Sequence, residues 1–189
     1  MTEEKTREIP LYFDALFKKV FADSNDLEPL KYLLELILKR KVLDIEILSP
    51  DVIGIKYKSK RTYLDMLVKL DDGTKISIEV NTNQKSYVID RNLFFLFRVM
   101  GSDLERGLGY KELKKHYQIN LNTNIRQKEL IMKYFLANLK TKEILTEKLE
   151  IINIDIEKYA NKWYTLDRPS ELDKLLGLIG TKDISKLKY

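Results

Sequence analysis

The chain has no cysteine and a single histidine, His116, in 189 residues. Disulfides and thiolate or multi-histidine zinc sites are therefore excluded. Cys-His catalysis is excluded with them, and a Ser-His-Asp triad would have to use His116. A metal site in this chain must be built from oxygen ligands, which favours Mg²⁺ or Mn²⁺. Glycine is sparse, at seven residues. The pair Gly107 and Gly109 lacks the further glycines and the preceding strand of a phosphate-cradling loop, so no organic cofactor site is expected. No apolar run approaches the roughly 20 residues of a membrane span. The opening Met1-Thr-Glu-Glu-Lys-Thr-Arg-Glu8 has no apolar signal core. These absences point to a cytoplasmic protein that does not enter a membrane.

Apolar content of 44% and charged content of 33% suit a globular chain. Its length is enough for one domain burying roughly 70% of its unfolded surface. Net charge is +5 with pI near 9.1, a balance that permits contact with nucleic acid without requiring it.

The most informative stretch runs from Thr62 to Asn81. Two strand-like runs flank Asp71-Asp72-Gly73, a hairpin signal. Asp65 lies in the first run and Glu79 in the second. Carboxylates within strands are unusual, because strands disfavour them and burying charge is costly. A two-residue turn pairs positions summing to 145 and sets Glu79 against Met66. A three-residue loop with Gly73 left-handed pairs positions summing to 144 and sets Asp65 directly opposite Glu79. Opposed like charges repel unless a cation lies between them. Asn81 shares the face of Glu79. Met66, Val68, Leu70, Ile76, Ile78 and Val80 form the other, core-facing side. The alternative is a solvated face, with Asp65 as an edge charge and Glu79 paired to Lys69 or Lys75; half-exposed antiparallel sheets are common.

Before this hairpin, Phe13, Leu16, Phe17, Val20 and Phe21 recur at helical spacing, with Asp14 and Lys18 four apart on one flank. Asp23-Ser-Asn-Asp26 is a turn and cap signal, followed by a helix with Leu30, Leu33, Leu34, Ile37 and Leu38 on one stripe. Val42–Leu48 is a strand, and Lys56–Arg61 a basic lead into the hairpin. After it, the spacing predicts a long helix from about Val88 to Glu105, burying Leu93, Phe94, Phe97, Met100 and Leu104. Arg91 and Arg98 share another of its faces. Tyr117–Leu121 alternates like a strand. Leu130–Leu139 fits helix or strand, and Lys148–Ile156 fits a strand. Ile156–Trp163 and Ser170–Ile179 fit helices, with Trp163 packing the last one. His116 has a structural reading. The fold class is α/β with a mixed central sheet flanked by helices, in one domain over 1–189 with a core at about 11–122 and a C-terminal elaboration at about 123–189.

This order resembles the restriction-endonuclease-like core of the PD-(D/E)XK nucleases, and most closely their recombination-promoting nuclease and transposase branch. The residues that carry the likeness are Asp14-x-x-Phe17-Lys18-x-x-Phe21, Leu64-Asp65, Ile78-Glu79-x-Asn81 and Arg91 opening an aromatic helix. Gly109-Tyr110-x-x-Leu113-Lys114-Lys115 and Gln118-Ile-Asn120 complete them. The resemblance implies a metal-dependent DNA endonuclease hydrolysing phosphodiester bonds. Asp65 and Glu79 would hold Mg²⁺ or Mn²⁺ with the Val80 backbone carbonyl, Asp14 being a further candidate ligand. The catalytic set would be Asp65, Glu79 and Asn81, and the DNA contacts Arg91, Lys85 and Arg98. The general pattern has Lys where this chain has Asn81, a neutral amide that can hydrogen-bond a water or phosphate oxygen but supplies no charge. Lys75 and Lys69 are candidate substitutes. The alternative function is therefore a catalytically weak or inactive nuclease-fold protein that binds DNA or a protein partner, and a third reading is an α/β interaction domain without metal. A homodimer is one assembly to test for.

Overall fold

The computed structural model describes residues 10–48, 65–82, 85–104 and 109–182. Lys56–Arg61, Leu64, Glu105 and Gly107 lie outside the described residues, so the expectations resting on them are not addressed. The element order is α1 (Asp14–Phe21), α2 (Glu28–Leu38), β1 (Ile45–Leu48), β2 (Met66–Leu70), β3 (Lys75–Asn81), α3 (Val88–Gly101), β4 (His116–Asn122), β5 (Ile131–Phe135), β6 (Leu149–Asp155), α4 (Ile156–Lys162) and α5 (Glu171–Gly180).

The strands form one six-stranded mixed sheet in the order β1-β2-β3-β4-β6-β5. Its centre is parallel, β3 beside β4 beside β6, and both flanks are antiparallel. Within the segment Leu130–Leu139, Ile131–Phe135 is strand and no helix forms. The C-terminal part of the chain thus supplies two strands, β5 and β6, and its α4 and α5 join the principal core.

That core lies on one face of the sheet. Phe17 and Phe21 of α1, Leu30, Leu33, Leu34 and Ile37 of α2, and Leu176 and Ile179 of α5 pack there against Val68, Ile76, Ile78, Ile119, Leu121, Ile152 and Ile154. Local chemistry sets the helix ends. Asp26 accepts a hydrogen bond from the Glu28 amide at 3.1 Å, and α2 stops where Lys39 turns left-handed at φ 54°. Ser170 and Asp173 cap α5 reciprocally. Trp163 packs against α5 over Gly177, where a Cβ would collide with the indole ring.

The other face carries α3 alone among the described helices. Leu67 joins Phe95 and Val99 in a smaller cluster there. The sheet is therefore covered on both sides, as its parallel centre requires. Ser77, Glu79, Asn81, Gln118, Asn120 and Asn122 are buried, so the solvated-face alternative for the hairpin does not hold.

The helix α3 turns a different face inward from the one expected. Val88, Asn92, Phe95, Leu96 and Val99 are buried, whereas Phe94 is 48% and Phe97 55% exposed. Both stripes satisfy helical spacing. Asn92 makes the true one look less apolar, but it faces a polar sheet surface that gives it a partner.

Candidate active site

The hairpin takes the three-residue loop. The ladder pairs Met66 with Ile78 and Lys69 with Lys75. The Gly73 amide donates to the Leu70 carbonyl at 2.9 Å, and Gly73 itself has φ +81°. Glycine takes this conformation without the steric penalty a Cβ would bring. Continued by one residue, the register sets Asp65 opposite Glu79. The two are cross-linked through the backbone: the Asp65 amide donates to Glu79 Oε1 at 3.3 Å, and the Val80 amide donates to Asp65 Oδ2 at 2.8 Å.

Glu79 is only 2% exposed. Burial, and next the negative charge of Asp65, push its carboxyl from the ordinary 4.5 up to about 8, against the pull of Arg91. Burial likewise raises Asp65, opposed by the Val80 amide and by Lys18. A desolvated carboxylate pair is a like-charge site that prefers to bind a proton or a cation.

Arg91 reaches this pair from the first turn of α3. Its Nη2 lies 3.5 Å from Glu79 Oε2 and donates to Asn81 Oδ1 at 2.5 Å. Asn81 Nδ2 in turn donates to Asn122 Oδ1 at 3.0 Å. Both ends of the Asn81 amide are thus engaged, and its oxygen holds a guanidinium beside Glu79.

The remaining candidates are distributed around the centre. Asp14 on α1 pairs with Lys18 at 2.8 Å. Among the described residues no three His, Cys, Asp or Glu side chains converge to hold a metal. Two carboxylates meet here, and Asp14 does not complete a three-ligand cluster, although its charge acts on Asp65 and helps to raise that carboxyl. Lys85 is exposed, with Nζ 5.9 Å from the Tyr87 ring, and Arg98 lies over Phe94 at 5.6 Å. Lys69 pairs with Glu46 at 3.4 Å, and Lys75 pairs with Asp103. Neither lysine is therefore placed to stand in for a charge at position 81. His116 is buried with Nε2 3.3 Å from Asp103 Oδ2, unaligned for a hydrogen bond. Burial holds its imidazole below the ordinary value.

Two features were missed from sequence. Lys18 was read only as a helix-surface partner of Asp14, yet its charge acts on both Asp65 and Glu79. Beyond Asn81, a run of buried amides crosses the sheet. Asn92 Nδ2 donates to Asn120 Oδ1 at 2.9 Å, and Asn120 Nδ2 donates to Asn153 Oδ1 at 2.7 Å. The available signal was the spacing of Gln118, Asn120 and Asn122, alternate residues that share one face of β4.

The donor set suits a hard divalent cation. It is all oxygen, with Glu79 buried and Asp65 half-buried, and when both carboxyls are ionised it carries more negative charge than the adjacent guanidinium balances. No described helix is long and apolar enough to cross a membrane. The family model described as PD-(D/E)XK nuclease family transposase matches residues 11–188. No curated protein and no solved structure matches the chain significantly.

Proposed function

The chain belongs to the PD-(D/E)XK nuclease family transposases, and we propose that it is a divalent-metal-dependent DNA endonuclease whose centre is Asp65 and Glu79. The observation that carries this reading is the carboxylate pair across the hairpin, Glu79 buried and Asp65 half-buried, with Glu79 pushed up to about 8. Mg²⁺ or Mn²⁺ bound to Asp65, Glu79 and the Val80 carbonyl would polarise the scissile phosphate and offset the charge that builds up during hydrolysis.

The chain's own groups then divide the work. The Val80 amide fixes the Asp65 carboxylate, and the Asp65 amide steadies Glu79, so both oxygens keep one orientation. Asn81 acts as a positioning residue: it holds Arg91 so that the guanidinium supplies the positive charge which the general family pattern takes from lysine. Arg91, presenting fixed donors beside the carboxylates, binds a phosphate oxygen with charge-assisted hydrogen bonds. Lys18 adds a second cation from α1, and the exposed Lys85 before α3 and the half-buried Arg98 on it extend the phosphate contacts.

The test is nicking of supercoiled plasmid with Mg²⁺ or Mn²⁺. The parent should nick, and Asp65→Ala and Glu79→Ala should each abolish nicking while melting cooperatively. A parent that binds DNA but never nicks it, under varied metals and substrates, favours the second reading, a DNA-binding module of nuclease fold. The observation favouring that reading is the neutral Asn81, with its amide already engaged at both ends.

A further inference from the structure

A groove of about 690 Å³ opens beside the carboxylate centre, between α3, the ends of β4 and β6, and the chain after β4. Among its described lining residues, seven are Asn or Gln and none is Asp or Glu. Its walls are apolar, including Val88, Ile89, Leu93, Ile125 and Ile151, with the Tyr134 ring at one side and Lys85 and Arg126 at the rim. It adjoins the proposed active site through shared residues. Asn122 lines the groove and bonds Asn81, and Asn92 lines it next to Arg91.

The amides do more than fasten α3 to the sheet. Gln118 is 1% exposed and gives its Nε2 to Asn120 at 3.0 Å, yet its Oε1 has no hydrogen-bond partner among the described residues. Gln127 Oε1 is also buried without a partner. An unsatisfied buried acceptor is costly, and a purely structural contact would avoid it. Asn153 also lines the groove, and its Oδ1 accepts from Asn120. Acceptors and donors without fixed charge, flat apolar walls and a cationic rim are complementary to a nucleobase with its flanking phosphates. The missing carboxylates argue against a cation, and the neutral floor argues against a bare anion.

We propose that this groove is a base-binding subsite: it receives one unstacked base of the DNA strand whose phosphate lies at Asp65 and Glu79. The proposal rests on the nuclease reading above for its source of bases. The two unpartnered glutamine oxygens select a base that offers an exocyclic amino group, so adenine, cytosine and guanine are favoured over thymine. Extrusion from the stack is easiest for a base already unpaired. The site therefore directs the enzyme to bulged, mismatched or single-stranded positions.

The experiment uses the full chain and short duplexes carrying 2-aminopurine, either unpaired as a single bulge or fully paired, with affinity and fluorescence read in EDTA and in Mg²⁺. The bulged duplex should bind roughly tenfold tighter than the paired one, with its emission quenched against Tyr134, as stacking on an aromatic ring predicts. Gln118→Leu and Tyr134→Ala should each erase most of that preference. Gln118→Leu removes an unsatisfied acceptor together with the bond to Asn120 Oδ1, which still accepts from Asn92, and Tyr134 is 43% exposed; cooperative urea unfolding of each variant checks that both remain folded tests. Equal affinity for the two duplexes, or a preference untouched by both variants, overturns the subsite even if the parent nicks plasmid. A preference that follows Gln118 and Tyr134 in a protein that never nicks sustains the subsite and removes the nuclease reading. No binding to either duplex removes both.

Discussion

Replacing Glu79 with Gln separates a latent cation site from an ordinary ion pair. The folded carboxyl is raised from 4.5 to about 8. Between those values the folded chain keeps a proton that the unfolded chain has lost. Stability must therefore fall as pH rises from about 4.5 to about 8, and level off above it. At about 1.4 kcal/mol for each pH unit, the ceiling on that loss is roughly 5 kcal/mol. Relaxation around the charge and the coupling to Asp65 reduce it, so a measured gain of roughly 2–4 kcal/mol for Glu79→Gln at pH 9 is expected. At pH 5 the protonated parent carboxyl and the Gln amide are nearly isosteric, and the two proteins should match. Other groups titrate too. Burial lowers His116, which adds stability as pH rises toward its unfolded value of 6.5. Asp72 is held at about 2, where Arg40 and Thr74 outweigh the opposing effect of burial, and so lies outside the window. Both cancel in the difference between parent and variant. The assay is urea unfolding at pH 5, 7 and 9, with and without Mg²⁺. The cation should stabilise the parent at pH 9, by about 2.7 kcal/mol at a hundred times its dissociation constant, and leave the variant unchanged. A Gln variant destabilised equally at pH 5 and 9 would refute the reasoning, since Glu79 would then be a conventional partner of Arg91.

Arg91→Ala removes the nearest counter-charge to Glu79. It should destabilise the metal-free protein more at pH 9 than at pH 5, and a pH-independent loss in urea melts would remove that coupling. If Arg91 also contacts phosphate, the same variant should reduce the log–log salt slope of duplex binding by about 0.9 for that contact; an unchanged slope rules the contact out. Asn81→Lys places a cation on the face of Glu79 and frees Arg91. It should fold and nick plasmid at least as well as the parent, and an inactive Lys variant of an active parent would show that Arg91 needs its Asn81 tether. Gly180→Ala would set a methyl against the Ile156 carbonyl. It should cost roughly 2–3 kcal/mol or more by denaturant unfolding, whereas an unshifted midpoint would mean that α4 and α5 separate easily.

The hairpin was legible because its information is local. Asp71-Asp72-Gly73 specifies a loop with a left-handed third residue, and that loop fixes which strand residues face one another. The two registers left open by counting are separated by the Gly73 conformation and the Leu70–Thr74 closure, which bring Asp65 and Glu79 together. The helices α1, α2 and α5 were legible for the same reason, from stripes and end signals. What failed was facing. In β4, Gln118, Asn120 and Asn122 alternate with Tyr117, Ile119 and Leu121, the pattern of a strand with one wet face, yet every residue of the strand is buried. Amides that satisfy one another across β3, β4, β6 and α3 make that burial tolerable, and their pairing is not visible from spacing alone. The error in α3 has the same root, since a stripe containing Asn92 is counted as polar until its partner Asn120 is known. The influence of Lys18 on the carboxylates depends on how α1 packs against the sheet, a non-local arrangement with no short-range signal.

The neutral residue at position 81 is best understood through this polar face. A lysine amine there would add positive charge beside a guanidinium already 3.5 Å from Glu79. An asparagine instead accepts from that guanidinium and passes the hydrogen bonding on to Asn122. On the proposed nuclease reading, the charge needed next to the carboxylates is moved from β3 to α3, while the strand position becomes a connector. One consequence is that the carboxylate centre and the amide groove share a framework: Arg91 is held through Asn81, Asn81 through Asn122, and Asn122 forms part of the groove wall. A base entering the groove would press on the same residues that orient Arg91. Occupancy of the groove and alignment of the phosphate are then coupled, and by linkage each favours the other by the same factor. Under that proposal an unpaired base would be more than a handhold, since it would help to set Arg91 beside the carboxylates.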